Sequence, residues 1–173
     1  AQVNVAIQVA EQMSDFLVDG AITNALNMAS VSAEDAPRLR PYLALAGQLG
    51  SFAGQITETG IKKISIAYMG QAASLNVQPL SATVIAEVLK PLSEGVNMIN
   101  AREIAKAKKI QISETKITDG NDWQTAIRVM VETESREREI TGTLFASREP
   151  RVVSIEGVPV EAALTSDMLF IRN

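Results

Sequence analysis

The stretch LSATVIAEVLKPLSEGVNMINAREIAKAKKI, residues 80–110, decides how the rest of the chain is arranged. Val84, Val88 and Leu92 recur every four residues with Ile85 and Leu89 beside them, which predicts a helix with a wide apolar stripe. Pro91 weakens its last turn, since proline lacks the N–H a helix needs, and Gly95 is expected to end it. Residues 96–101 then read as a connector to a short basic helix that ends at Lys109. Apolar strand-like runs flank the stretch at residues 61–69 and 110–117. A helix between two strands needs a sheet to bury its stripe, so this segment reads as the spine of an α/β layer.

Working outward from the spine, the upstream strand shows Ile64, Ile66 and Tyr68 alternating with Lys63, Ser65 and Ala67, the pattern of a half-buried strand. Residues 70–78 read as a polar loop. Before that strand, Tyr42, Leu45, Leu49, Phe52 and Ile56 share one side of a predicted helix. Ser32 and Asp35 have capping-box spacing at its start, and Pro37 suits its first turn. Gly47, Gly50 and Gly54 lie along the same helix. Each glycine there costs about 1 kcal/mol relative to alanine, so three of them predict the close approach of another backbone. Their spacing matches neither phosphate-loop fingerprint. At the start of the chain, Val3, Ile7, Ala10, Ser14 and Leu17 fall on one helical face, widened by Val5, Val9, Met13 and Phe16. A stripe this wide predicts a helix buried between two bodies, with a coiled coil of fewer than three heptads as the second reading and Gly20 ending the helix. Residues 23–32 read as a crossing segment of small and polar residues.

Downstream, residues 118–122 (TDGND) form a turn signal, and Ile127, Val129 and Val131 alternate as a strand. Residues 134–139 read as a charged hairpin tip, after which Ile140, Gly142 and Leu144 form the returning strand. Residues 151–156, a turn at Gly157 and residues 158–164 make a closing hairpin. Strands in series after two helical segments give the expected fold class: α+β, with a long N-terminal helix. A mixed or mainly antiparallel sheet should follow, covered by helices on one face.

Composition narrows the function. The chain has 173 residues, a net charge of −4 with both signs interspersed, and an aromatic share of 4%. No global field is present to recruit nucleic acid or an anionic membrane, and no apolar run is long enough to span a bilayer. Cysteine is absent, which removes disulfides and thiolate metal sites. Histidine is absent too, which excludes Ser–His and Cys–His nucleophilic chemistry and any imidazole acid or base. No residue is singled out as catalytic, cofactor-binding or metal-ligating. Both ends of the chain look cut, as in a piece of a longer polypeptide.

The candidate binding residues are basic or amide side chains. Arg148 and Arg151 flank Pro150 at a strand entry, where two guanidinium groups could hold a phosphate or carboxylate bidentately. Asn97 and Asn100 sit at the helix-to-helix break, either to contact a ligand or, for Asn100, to cap the following helix. Lys62 and Lys63 open a strand and could protect a sheet edge. Lys106, Lys108 and Lys109 complement a helix end. Arg136 and Arg138 read as part of the solvated hairpin tip, and Trp123 as a core plug. The anion set taken from these readings is Arg151, Arg148, Lys63 and Asn100.

Several passages carry a family resemblance. AEQMSDFLVDGAITNALNM (residues 10–28) resembles the last stretch of the catalytic unit in long-form D-3-phosphoglycerate dehydrogenases, where a long helix returns from the nucleotide-binding domain to the substrate domain. LAGQLGSFAGQI (45–56), GVNMINAREIAKAKKI (95–110) and ITGTLF (140–145) resemble the intervening domain of those enzymes. That domain is also called the allosteric substrate-binding domain, and a similar one occurs in some bacterial L-serine dehydratases. MLFIRN (168–173) resembles the first strand of a regulatory ACT domain.

The resemblance implies three parts: residues 1–32 as the tail of the catalytic domain, 33–166 as the intervening domain, and 167–173 as the start of an ACT domain. It implies a cytoplasmic, oligomeric parent enzyme that oxidises 3-phosphoglycerate with NAD at the first committed step of serine synthesis. The parent's dinucleotide loop and its catalytic Arg, Glu and His would lie upstream of Ala1, so this fragment would hold no catalytic residue and no NAD. Its expected partners are its own catalytic and ACT domains, further copies of the chain, and a phosphorylated small-molecule effector. Arg151 is the position that carries over best. A second basic residue is expected near Ala163, and residues 158–164 contain none. The alternative implied role is a spacer or oligomerisation module with no ligand of its own.

Overall fold

The computed structural model describes residues 2–23, 31–32, 34–57, 60–118, 123–165 and 168–171. The expected crossing segment and the TDGND turn fall largely outside them. Among the described residues there are four α-helices: α1 (Gln2–Asp19), α2 (Ala36–Ile56), α3 (Gln78–Leu89) and α4 (Ala101–Ala107). Six strands form one sheet: β1 (Lys63–Gly70), β2 (Gln111–Ile117), β3 (Thr125–Glu132), β4 (Glu137–Phe145), β5 (Glu149–Ile155) and β6 (Val158–Ala162). Their order across the sheet is β2-β1-β3-β4-β5-β6. β1 and β2 are parallel, joined by the crossover that carries α3 and α4, and every other neighbouring pair is antiparallel. This is the α+β architecture expected from the sequence.

The period-2 pattern sets the core. Ile64, Ile66 and Tyr68 of β1 stand opposite Val131, Val129 and Ile127 of β3, and Ile140 and Gly142 of β4 continue the same face. All of the large side chains in that set are buried. α2 and α3 cover this face with Leu45, Leu49, Val84, Ile85, Val88 and Leu89. A Cβ added at Gly142 would meet Leu45 Cδ1 at 2.8 Å, so the missing side chain makes the notch into which α2 sinks.

Two of the three glycines of α2, Gly50 and Gly54, do what their spacing predicts, while Gly47 meets only the Thr83 side chain at 3.7 Å. A Cβ on Gly50 would lie 2.8 Å from the Val84 carbonyl oxygen, and one on Gly54 would lie 2.8 Å from that of Val88. α2 and α3 therefore cross backbone to backbone, bringing more atoms into dispersion contact than two branched surfaces would allow. At the start of α2, Asp35 N–H donates to Ser32 Oγ (3.0 Å) and Ser32 Oγ–H donates to Asp35 Oδ2 (2.8 Å), but the helix begins at Ala36 with Asp35 as its N-cap and no side-chain cap bond, so the expected capping box does not form.

Several expectations are corrected. α1 is not buried: Val3, Val5, Ile7, Met13, Phe16 and Leu17 are all more than half exposed, because no other part of the described chain covers its stripe. α3 stops at Leu89, earlier than Gly95. Pro91 cannot donate into a last α-helical turn, so residues Lys90–Leu92 tighten into a 3-10 turn. The 70–78 loop contains a 3-10 turn at Gln71–Ser74 and the first residue of α3. β1 is an inner strand, so Lys63 lies between β2 and β3 and protects no edge. Trp123 is 39% exposed and stacks on Phe145 at the rim of the sheet instead of filling the core.

Candidate functional site

The two arginines of the strand-entry motif lie where β4 turns into β5, at one end of the sheet. β4 ends at Phe145, and Ala146 (φ 48°) and Ser147 (φ 60°) adopt left-handed backbone to turn the chain into β5. Non-glycine residues reach that region at a conformational cost, so the turn is held by its flanking pairs. Arg148 N–H donates to the Phe145 carbonyl at 3.0 Å and leaves the Arg148 side chain exposed.

Three residues on, Arg151 stands opposite Thr143, and Glu149 stands opposite Phe145. The Arg151 guanidinium carbon lies 5.9 Å from the centre of the Phe145 ring, within cation–π range. Its Nη1–H donates to the Pro150 carbonyl (3.0 Å) and its Nη2–H to Glu149 Oε2 (2.8 Å). A guanidinium has five N–H donors, so these two bonds fix its plane and leave further donors for a ligand. Phe145 and Trp123, with ring centres 6.4 Å apart, floor the shelf. Arg148, Arg151 and Glu149 give it a local excess of one positive charge.

The other two candidates lie elsewhere. Lys63 is aligned with Glu132 of β3, which is aligned with Glu137 of β4. Thr143, opposite Arg151, is six positions further along β4, about 20 Å at the usual strand rise. Asn100 is in the α3–α4 connector, where its polar atoms are engaged with the main chain: Asn97 N–H donates to its Oδ1 (2.8 Å), and its Nδ2–H donates to the Gly95 carbonyl (2.9 Å). Its side chain does not cap α4. Asn97 complements it, with its Oδ1 accepting from the main-chain N–H of Ile99 (2.9 Å) and of Asn100 (3.2 Å). This pair fastens a tight connector.

A second feature escaped the sequence reading. Arg138 belongs to β4 rather than to a solvated tip. It is 9% exposed and pairs with Glu156 of the β5–β6 turn. With Arg136 it closes one end of a cleft of about 1130 Å³ between the outer side of α2 and the segment after β6, where Phe170 meets Phe52 edge-on at 5.5 Å. The signal was available: Arg138 continues the parity of Ile140, Gly142 and Leu144, which places it on the covered face. Among the described residues, no cluster of three or more His, Cys, Asp or Glu side chains could hold a metal ion, and no helix is long and apolar enough to cross a membrane.

The fold and shelf define an α+β domain whose six-stranded mixed sheet carries a layer of helices on one face and a basic shelf at one end. The chain belongs to the D-3-phosphoglycerate dehydrogenase intervening-domain family, whose family model matches residues 38–156. It is 33% identical over 172 residues to the D-3-phosphoglycerate dehydrogenase of Synechocystis sp., covering 98% of this chain and 31% of that enzyme. Identity to the D-3-phosphoglycerate dehydrogenase of Bacillus subtilis is 26% over 174 residues, covering 100% of this chain and 33% of the enzyme. With that of Archaeoglobus fulgidus it is 27% over 157 residues, covering 90% and 30%. The chain thus spans about a third of the length of the curated relatives it matches, and it corresponds to a regulatory or spacer part of such an enzyme.

Proposed function

We propose that this chain is the effector-responsive part of an NAD-dependent D-3-phosphoglycerate dehydrogenase of serine synthesis. It binds a small phosphorylated acid on the Arg148–Arg151 shelf and couples occupancy to the catalytic domain of the parent enzyme. The observation that carries this reading is the Arg151 guanidinium, placed over the Phe145 ring and bonded to Glu149 and Pro150, with donors to spare and a second arginine three residues away in sequence. A preoriented fork of this kind suits a bidentate oxyanion. To act as a signal, the ligand must bind two conformations of the parent unequally, typically by about 1–3 kcal/mol.

Calorimetric titration of the chain with 3-phosphoglycerate and with phosphohydroxypyruvate, with sulfate as control, tests the reading. Saturable binding stronger than that of sulfate is expected, and Arg151→Ala should weaken it by about tenfold or more, the effect of losing charge-assisted hydrogen bonds. Heats indistinguishable from those of sulfate in both proteins would overturn it in favour of the spacer. The specific observation favouring a spacer is the uncovered apolar side of α1, a surface suited to joining one domain to another.

A further inference from the structure

We propose that β2 is a docking edge for a second copy of this chain, the two strands pairing antiparallel about a twofold axis at Thr115. The surface is independent of the arginine shelf. β2 and β6 are the two edges of the sheet, and they are built differently. β6 has five residues, includes Pro159, and pairs with β5 through a register irregularity between Val152 and Ser154. Proline and broken register are the usual protections of an edge. β2 has seven residues in unbroken register with β1 and contains neither proline nor glycine. Gln111, Glu114, Thr115 and Lys116 are exposed on it.

The hydrogen bonding fixes which groups point outward. Gln111 N–H donates to the Lys62 carbonyl at 2.8 Å, so the main-chain groups of Gln111, Ser113, Thr115 and Ile117 turn towards β1. Those of Ile112, Glu114 and Lys116 turn to the free edge. An antiparallel partner must therefore set residues from this second group opposite each other, because only such pairs exchange both hydrogen bonds.

Charge selects among the few registers that do so. An axis at Glu114 or at Lys116 would place identical charges opposite each other, which is destabilising. An axis at Thr115 places Glu114 opposite Lys116 of the second copy, and Lys116 opposite its Glu114. Glu114 already accepts a bond from Arg102 of α4 at one carboxylate oxygen, Oε1, which leaves Oε2 for the incoming lysine. Lys116 donates to the Leu75 carbonyl at 3.0 Å, and an ammonium has two further donors. Thr115 itself falls in a non-hydrogen-bonded pair, where the two Cα atoms approach to about 4.5 Å.

The chain contains no cysteine, so a single introduced thiol reads this geometry directly. Thr115→Cys should give a disulfide-linked dimer under mild oxidation, since the spacing lies within disulfide range. Ser113→Cys should not, because the two copies of residue 113 would be about 13 Å apart. In sedimentation equilibrium the unmodified chain should associate with rising concentration. Glu114→Lys should weaken that association by about tenfold or more by turning both opposed pairs repulsive. Adding Lys116→Glu to Glu114→Lys should restore it. Both variants lose the Arg102 contact, so recovery in the double variant reports the pairing and not the fold. A chain that stays monomeric at every concentration overturns the proposal. So does equal cross-linking of the two cysteine variants, or a dimer that Glu114→Lys leaves intact, as association through α1 would be.

Discussion

α1 and α2 are helices of similar length, 18 and 21 residues, and both carry apolar stripes, yet they have opposite fates. Leu49 of α2 is fully buried, whereas Leu17 of α1 is 77% exposed. A stripe states only that a helix has a partner. α2 also carries glycines at the two points where the partner's main chain passes, and these specify how close the partner comes and along which side. α1 has no such mark, and no described part of this chain closes over it.

The sharpest way to break this contrast is to truncate one leucine on each helix. Leu49→Ala should cost about 3 kcal/mol in urea unfolding, through lost burial and the cavity left behind. Leu17→Ala should stay within about 0.5 kcal/mol, as for most exposed positions. Equal losses would mean that α1 is buried in this chain in solution.

The next test stays inside α2. Gly54→Val should destabilise by about 2 kcal/mol, because the Val88 and Glu87 carbonyl oxygens stand 2.8 and 3.0 Å from the new Cβ and cannot yield. At Gly47 the nearest atom is Thr83 Cγ2 at 3.7 Å, ordinary contact, so Gly47→Ala should be neutral or stabilise by up to about 1 kcal/mol. If both substitutions behaved alike in thermal melts, the backbone crossing at α3 would not be what holds the pair.

The smallest effect concerns the sheet side of α3. Tyr68 donates to or accepts from Ser81 Oγ at 2.7 Å, and burial raises its hydroxyl well above the ordinary tyrosine range. The folded state therefore holds this proton more tightly than the unfolded chain does. Stability from this source is complete below about pH 10, the unfolded value, and falls as pH rises towards the folded value. Tyr68→Phe should cost about 1 kcal/mol near neutrality by leaving Ser81 buried without its partner, and should flatten the alkaline limb. Parallel unfolding curves for the two proteins from about pH 7 to about pH 11 would sink the assignment.

Much of the fold was legible because strands and helices leave periods. Ile64, Ile66 and Tyr68, and later Ile127, Val129 and Val131, gave both the strands and their inward faces, and the glycine row of α2 gave the helix crossing. The partner of each strand was less legible. That β1 runs inside the sheet, parallel to β2, depends on where the α3–α4 crossover returns the chain, and no local pattern encodes that. Trp123 was misplaced for a related reason: a large aromatic can fill a core or roof a rim, and its stack on Phe145 settles the choice only in three dimensions. Of the candidate site, the Arg148–Arg151 pair was readable because both lie on one short segment. Lys63 could not be sorted from it, since the length of sheet that separates it from the shelf is a property of register, and Asn100 could not because its bonds to Asn97 and Gly95 form only once the connector folds. Arg138 was readable from parity but was hidden by the charges around it.

The placement of β1 bears on how the chain is made. β3, β4, β5 and β6 are neighbours in both sequence and space, so each can pair as soon as the next turn closes. β1 leaves the ribosome before all of them and yet belongs between β2 and β3. Until β3 arrives, one side of its backbone has no native partner, and Ile64, Ile66 and Tyr68 have only part of their cover. During synthesis this strand therefore waits with an unpaired side, and α2, which precedes it, and the α3–α4 crossover, which follows at once, are the elements within reach to shelter it.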